Sequence, residues 1–395
     1  MMMENKDIVV VGIQPWDIPI GSNCKDIATQ FAQGNRVLYV NNPISYIDFI
    51  KDPDSEKTKN RKDAIKYPEN ALYQESKNLW VYTPPVKTYP INFVNHDGLF
   101  KVLNKVNNKK FAEAIKKAVA RLNFKDFILF NDQNMFLGYY LKEHLRPEKY
   151  IYYVRDNLLN VPYWKKHGHK VEPKLISKAD MVFTNSLLYE ENARRYNEKS
   201  FMVGQGCDTE MYQANMVAKA EELMGIEKPI IGYVGFLSSK RLDIEIIEHI
   251  AISRPDYEVV LVGPEDDSFQ RSNLHQLANV RFLGPKPPET LPAYIKGFDV
   301  AINPQRLTKA TMGNYPRKID EYLAMGKPTV ATRTKAMAYF GDVVFLAKDK
   351  EEYVAMIAKA LASDSEEKQQ ERIAVGHAHS WANCVATMYN HLQNN

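Results

Sequence analysis

At 395 residues the chain is too long for one ordinary core and fits two α/β domains of just under about two hundred residues each. Apolar residues make up 45% and charged residues 25%, and no stretch reaches the roughly eighteen unbroken apolar residues of a bilayer span, which excludes an integral membrane protein. The formal charge of +4 is uneven, about +8 in residues 1–207 and about −4 in the remainder, so the first half is expected to meet an anionic acceptor or lipid surface, and nucleic acid is not expected.

The chain opens with DIVVVGI (7–13), a first core strand with no basic region or cleavage site of an export signal around it, so a cytoplasmic location is expected. A helix over 23–33 and the strand 36–41 complete a βαβ opening. Strands follow at 78–84, 126–132, 149–156, 179–186 and 199–206, with a long helix over 100–122. The pattern restarts at 229–235 and continues with strands at 257–263, 279–284, 299–304, 327–332 and 343–347, separated by helices over 243–253, 289–297 and 316–325. Two doubly wound, mostly parallel α/β domains facing a cleft are predicted, 1–207 and 208–375, with 376–395 as a helix that packs back on the first. A hinge is expected at Gly204–Asp208. The three cysteines, Cys24, Cys207 and Cys384, have neither disulfide nor zinc spacing, as suits a reducing compartment.

The chemistry concentrates in DVAINPQRLTKATMGNYPRKIDEYLAMGKPTVAT (299–332). Tyr315-Pro316 ahead of a helix predicts that the amides of about 312–318, with Gly313, Asn314 and Tyr315, project from a helix N-terminus as an anion site. Arg317 and Lys318 add charge for a diphosphate, and Glu321 can accept from two vicinal hydroxyls of a ribose. In IIGYVGFLSSKRLD (230–243) Gly232 and Gly235 allow close backbone approach, and either Lys240 or Arg241 is expected to reach phosphate. No nicotinamide fingerprint, P-loop or metal motif is present, and Asp266-Asp267 reads as a solvated acidic turn, so no metal is expected.

These two stretches resemble the donor-site signature of GT-B glycosyltransferases related to retaining family 4, in a branch similar to teichuronic-acid and other surface-glycan enzymes. The resemblance implies glycosyl transfer from a UDP- or GDP-sugar to a hydroxyl of a glycan or lipid-linked acceptor, with retention and without a further cofactor. It implies that Glu321 binds the ribose, that Gly284, Pro285 and Lys286 cradle the base, and that Gly313 stands where the family usually has an acidic residue near the donor sugar. In the first half, VYTPP, YYVRDN, TNS and VGQGCD fall in the order of this branch. Asp156, at a strand's carboxyl end, is assigned with Glu321 to the reaction itself, or else it caps the following helix. Trp16, Asp17, Ser22 and Asn23, in the glycine-containing loop 16–23, and His167, in a polar loop with His169, complete the acceptor side. Peripheral contact with the inner face of the cell membrane is expected through the basic half. A nucleotide-sugar 2-epimerase of the same fold and a non-catalytic sugar-nucleotide-binding protein are the alternative readings, the first disfavoured by the lack of its acidic and histidine run.

Overall fold

The structure of the protein is a computed structural model that describes residues 3–18, 21–308, 311–313 and 315–394. The chain divides into two compact units, the first running to Gly204 and resuming at Cys384, the second being Gln205–Asn383.

The first unit contains β1 (Asp7–Gly12), β2 (Arg36–Val40), β3 (Ile44–Ser45), β4 (Leu72–Ser76), β5 (Leu79–Tyr82), β6 (Lys87–Thr88), β7 (Ile128–Asp132), β8 (Lys149–Val154), β9 (Met181–Thr184) and β10 (Ser200–Met202). Eight of these form one sheet in the order β10-β9-β8-β7-β1-β2-β5-β4, parallel except for β4 against β5, and β3 pairs with β6. The run Ile8–Val11 is apolar at every position because helices cover both faces of the sheet, so neither face of β1 meets water. The helix Asn23–Phe31 buries Cys24, Ile27, Ala28 and Phe31, one stripe at helical spacing, and Ser22 starts it by accepting from the Lys25 amide. Gly12 lets this helix approach, since a Cβ there would lie 2.7 Å from Cys24 Sγ.

Helix Asp97–Arg121 carries three buried asparagines that act as ties. Asn107 brackets the backbone of Tyr89, and Asn108 donates to Phe136 O and accepts from Tyr140 N, which fixes two loops onto one helix. The terminal helix Trp381–Asn394 packs its Tyr389 ring on Phe31, with centroids 5.8 Å apart, and takes a 3.0 Å hydrogen bond from Asn35 Nδ2.

The second unit's strands are β11 (Ile230–Val234), β12 (Glu258–Val262), β13 (Val280–Gly284), β14 (Val300–Asn303), β15 (Thr329–Thr332) and β16 (Phe345–Ala347). They form an all-parallel sheet in the order β13-β12-β11-β14-β15-β16, with one apolar cluster on each face. Both units are doubly wound, and their strand orders reverse between β1 and β7 and between β11 and β14. Ligands of such sheets gather outside the carboxyl ends of the strands at these reversal points.

Candidate functional site

At the carboxyl edge of the second sheet three neighbouring strands stop on glycine. Gly235 follows β11 with φ +136, Gly263 follows β12 with φ +144, and Gly284 ends β13 with φ +68. These backbone angles favour glycine. The backbone ladder continues through them, Gly235 N donating to Val262 O at 2.8 Å and Gly263 N to Gly284 O at 2.9 Å. The contact is so close that a Cβ on Gly263 would sit 2.0 Å from Gly235 O. The result is an edge of closely packed peptide groups at three neighbouring glycines, the kind of surface that lets a diphosphate approach the backbone.

Lys318 reaches this edge from the other signature stretch. A Cβ on Gly235 would lie 3.0 Å from Lys318 Nζ, and the ammonium stands 4.9 Å from the Tyr233 ring centroid. The helix carrying it, Lys318–Ala324, is docked by Tyr322, whose hydroxyl accepts from Val234 N at 3.0 Å. Two segments about eighty residues apart in sequence therefore converge at the end of β11, beside the reversal point.

The loop after β11 is held in shape by Asp266, whose Oδ2 accepts from Ser239 N at 2.7 Å and Ser239 Oγ at 3.0 Å while Oδ1 caps the next helix. Burial pushes the Asp266 pKa up, but backbone amides and the Ser239 and Ser238 hydroxyls outweigh it and hold the carboxyl below its usual range. Asp266 is thus a clamp, not the solvated turn expected from sequence. Lys240 and Arg241 lie exposed on the clamped turn, and among the described residues neither side chain has a partner. Arg306 is tied to the same turn through Arg241 O and Ser239 O, so the loops after β11 and β14 are joined.

Several expectations change at the helix itself. Pro316 is not its first residue: the helix begins at Lys318 and has seven residues. Within the expected row of amides Met312 N donates to Thr308 O, and just beyond it the Ile319 and Asp320 amides donate to Pro316 O and Arg317 O. The Tyr315 side chain is 4% exposed and donates to Asp320 Oδ1 at 3.0 Å, beside His379 Nδ1, which lies 2.7 Å from the same oxygen. Burial raises the Asp320 pKa to about 6 against the pull of His379 and Tyr315. Asn314 lies outside the described residues, and Gly313 is buried next to it. Glu321 is 15% exposed, paired with Arg317 at 3.3 Å and hydrogen-bonded to the Tyr212 hydroxyl. Lys286 is committed elsewhere, to Glu222 at 2.8 Å, and the backbone of Gly284 and Pro285 is what remains of that loop for a base. Gly232 serves the core, since a Cβ there would meet the Phe298 ring at 2.2 Å.

The carboxyl edge of the first sheet is built from interlocked side chains. Asp132, fully buried at the end of β7, accepts from Arg155 Nε at 2.8 Å, and Arg155 Nη1 holds Asp156 at 2.8 Å. Gln133 has the strained φ of +51; its carboxamide accepts from the Arg155 and Asp156 amides and donates to Asp156 O and buried Glu172. Asp156 therefore does not cap a helix. It lines a cavity of about 280 Å³ with Asn157, Glu172, Tyr189 and Arg195.

The other acceptor-side expectations separate. Ser22 is the cap described above, Asn23 is the first residue of that helix, and Asp17 is bound by buried Arg61 and by Asn60. Trp16 meets Tyr39 edge-on at 5.0 Å, and Ile20 of the same loop is outside the described residues. His167 is not in a loop but inside the helix Pro162–Lys178, 3% exposed, stacked on Phe100 at 3.9 Å with Nε2 2.9 Å from Val94 O. It is a core histidine. Sequence reasoning missed Gly263, although EVVLVG has the strand-then-glycine pattern of IIGYVG, and missed Arg155 and Gln133, which carry no local signal.

Comparison with known proteins bears on the unit that holds the glycine edge. Residues 228–363 match the family described as glycosyl transferases group 1. The putative teichuronic acid biosynthesis glycosyltransferase TuaH of Bacillus subtilis is 29% identical over 245 residues, which span 58% of this chain and 60% of that protein. Among solved structures, HepE of Anabaena, in complex with UDP and glucose, superposes with TM-score 0.65 at 15% identity over 99% of this chain and 100% of HepE. Sucrose-phosphate synthase of Thermosynechococcus elongatus gives 0.65 at 16% identity over 98% of each chain. The chain has the GT-B fold and resembles the surface-glycan glycosyltransferases, its second unit matching the group 1 glycosyl transferases over residues 228–363.

Proposed function

We propose that the protein is a glycosyltransferase that moves a sugar from a UDP- or GDP-sugar to an acceptor hydroxyl in the synthesis of a bacterial surface polysaccharide or glycolipid, with retention at the anomeric carbon. The observation that carries this reading is the meeting of Lys318 with the Gly235–Gly263–Gly284 edge inside the residues that match the group 1 family. A diphosphate lies against peptide groups where side chains would obstruct it, and the Lys318 ammonium neutralises charge that grows as the glycosidic bond breaks. Lys240 or Arg241 adds a second cation, Glu321 accepts from the ribose hydroxyls, and Asp156 orients the acceptor.

Retention places the acceptor on the face the diphosphate leaves from, so the departing phosphate oxygen takes the hydroxyl proton and no protein nucleophile is required. Binding of UDP to HepE and the teichuronic-acid assignment of TuaH support a nucleotide-sugar donor and a surface-glycan product. We place the protein in the cytoplasm, where nucleotide sugars are made. Thermal-shift titration with UDP, GDP and their sugars is the test. A nucleotide at a hundred times its Kd adds roughly 2.7 kcal/mol of stability, and a panel with no shift removes the reading.

A further inference from the structure

The outward face of helix Asp97–Arg121 is not what a solvated helix presents. Leu99, Val102 and Val106 fall at a spacing of three and four, and are 50%, 59% and 38% exposed. Two more bulky side chains extend the surface, Phe93 at 64% in the preceding loop and Tyr163 at 53% at the start of helix Pro162–Lys178. These pieces are joined: Lys166 Nζ donates to Asn92 O at 2.7 Å, and Phe100 and His167 stack between the two helices.

The charge around the stripe has one dominant sign. Lys101, Lys105 and Lys109 line one flank at helical spacing, and all three are exposed. Beside that flank a recess of about 340 Å³ has Phe100, Tyr139 and Tyr140 among its lining residues and Lys101, Lys170 and Lys174 as its cations. Its one carboxylate, Asp97, is already neutralised by Lys170. An apolar stripe with an aromatic edge, flanked by lysines that can extend past it, is the composition of an element lying at headgroup depth in a membrane.

We propose that this face of the first unit docks on an anionic lipid bilayer, with Leu99, Val102 and Val106 at the boundary of headgroups and acyl chains and the lysines on lipid phosphates. A second protein would cover the stripe equally well, but the lysine flank selects an anionic partner with laterally repeated charge. The inference does not depend on the donor-site reading, because none of these residues belongs to it.

The test is sedimentation of the full chain with vesicles of phosphatidylcholine alone or with 30% phosphatidylglycerol, at about 0.1 M and 0.5 M salt. Binding to the anionic vesicles that weakens with salt is expected, with little binding to the neutral ones. The triple change Lys101→Glu, Lys105→Glu and Lys109→Glu lowers the partition coefficient by roughly a hundredfold. Leu99→Ser with Val102→Ser and Val106→Ser, all exposed positions, lowers it by at least about tenfold with the fold intact. UDP and GDP titrations on the same variants remain at parental values, which separates this outcome from failure of the proposed function. Equal binding to both vesicle types, no binding to either, or two variant sets that bind like the parent would overturn the proposal. So would a concentration-dependent dimer, absent from vesicles, that the serine variant dissolves.

Discussion

The two sheets end at their carboxyl edges in opposite ways. The second unit finishes three adjacent strands on Gly235, Gly263 and Gly284, and Lys318 and the Tyr233 hydroxyl stand beside the first of them. The first finishes β7 and β8 on Asp132, Gln133, Arg155 and Asp156, which bond to one another. A phosphate recognised through backbone and one well-placed cation, as proposed for this edge, calls for strand ends without bulky side chains. Carboxylates and a guanidinium placed close together stabilise only when each is paired, so the other edge is a network in which no member moves alone.

The comparison breaks first at Gly263. Gly263→Val puts a branched side chain at φ +144 against Gly235 O, and a loss of about 3 kcal/mol or more in urea unfolding is expected. If that variant keeps parental stability, the glycine edge is not the tight structure described. Asp132→Asn should rank next. It removes one partner of a pair in which Asp132 is fully buried and Arg155 is 14% exposed, at about 3 kcal/mol, while UDP and GDP affinities stay unchanged. Loss of nucleotide binding in this variant would mean the two edges do not have the separate tasks assigned here.

Acidity sharpens the same contrast within the second unit. The Asp320 carboxyl, raised by burial to about 6 from an ordinary value of 3.8, stays protonated in the folded protein over a range in which it ionises when unfolded. Its contribution is therefore complete below about pH 4 and is lost as pH rises toward 6, a change of about 3 kcal/mol at most. Unfolding free energies of the parent and of Asp320→Asn, compared across that window, should differ in slope, the variant lacking this decline; identical slopes would place the Asp320 pKa near its ordinary value. Glu321→Ala has the smallest expected effect, about 1.5 kcal/mol in UDP or GDP affinity with no change in fold, read by calorimetry.

Legibility followed the same division. The strands, their parallel order and the glycine punctuation are written locally in runs such as DIVVVG and IIGYVG, because burial on both faces makes such strands apolar throughout. Gly235 and Lys318 could be singled out because glycine after a strand and a cation at a helix start are local signals. That they meet depends on the reversal between β11 and β14, which no local pattern states. His167 misled because HGH among lysines looks like a loop, while the helix through it is set by packing against Phe100. The Tyr315 hydroxyl gave no local sign that it would be spent on Asp320 and on a partner 64 residues away, His379.

The central claim is that Lys318 on the glycine edge holds a nucleoside diphosphate, and calorimetric titration of UDP, GDP and the corresponding nucleosides into the parent and Lys318→Ala tests it most directly. The account predicts a diphosphate affinity lowered by about tenfold to a hundredfold in the variant, with nucleoside affinity unchanged. Equal diphosphate affinity in the two proteins would contradict it.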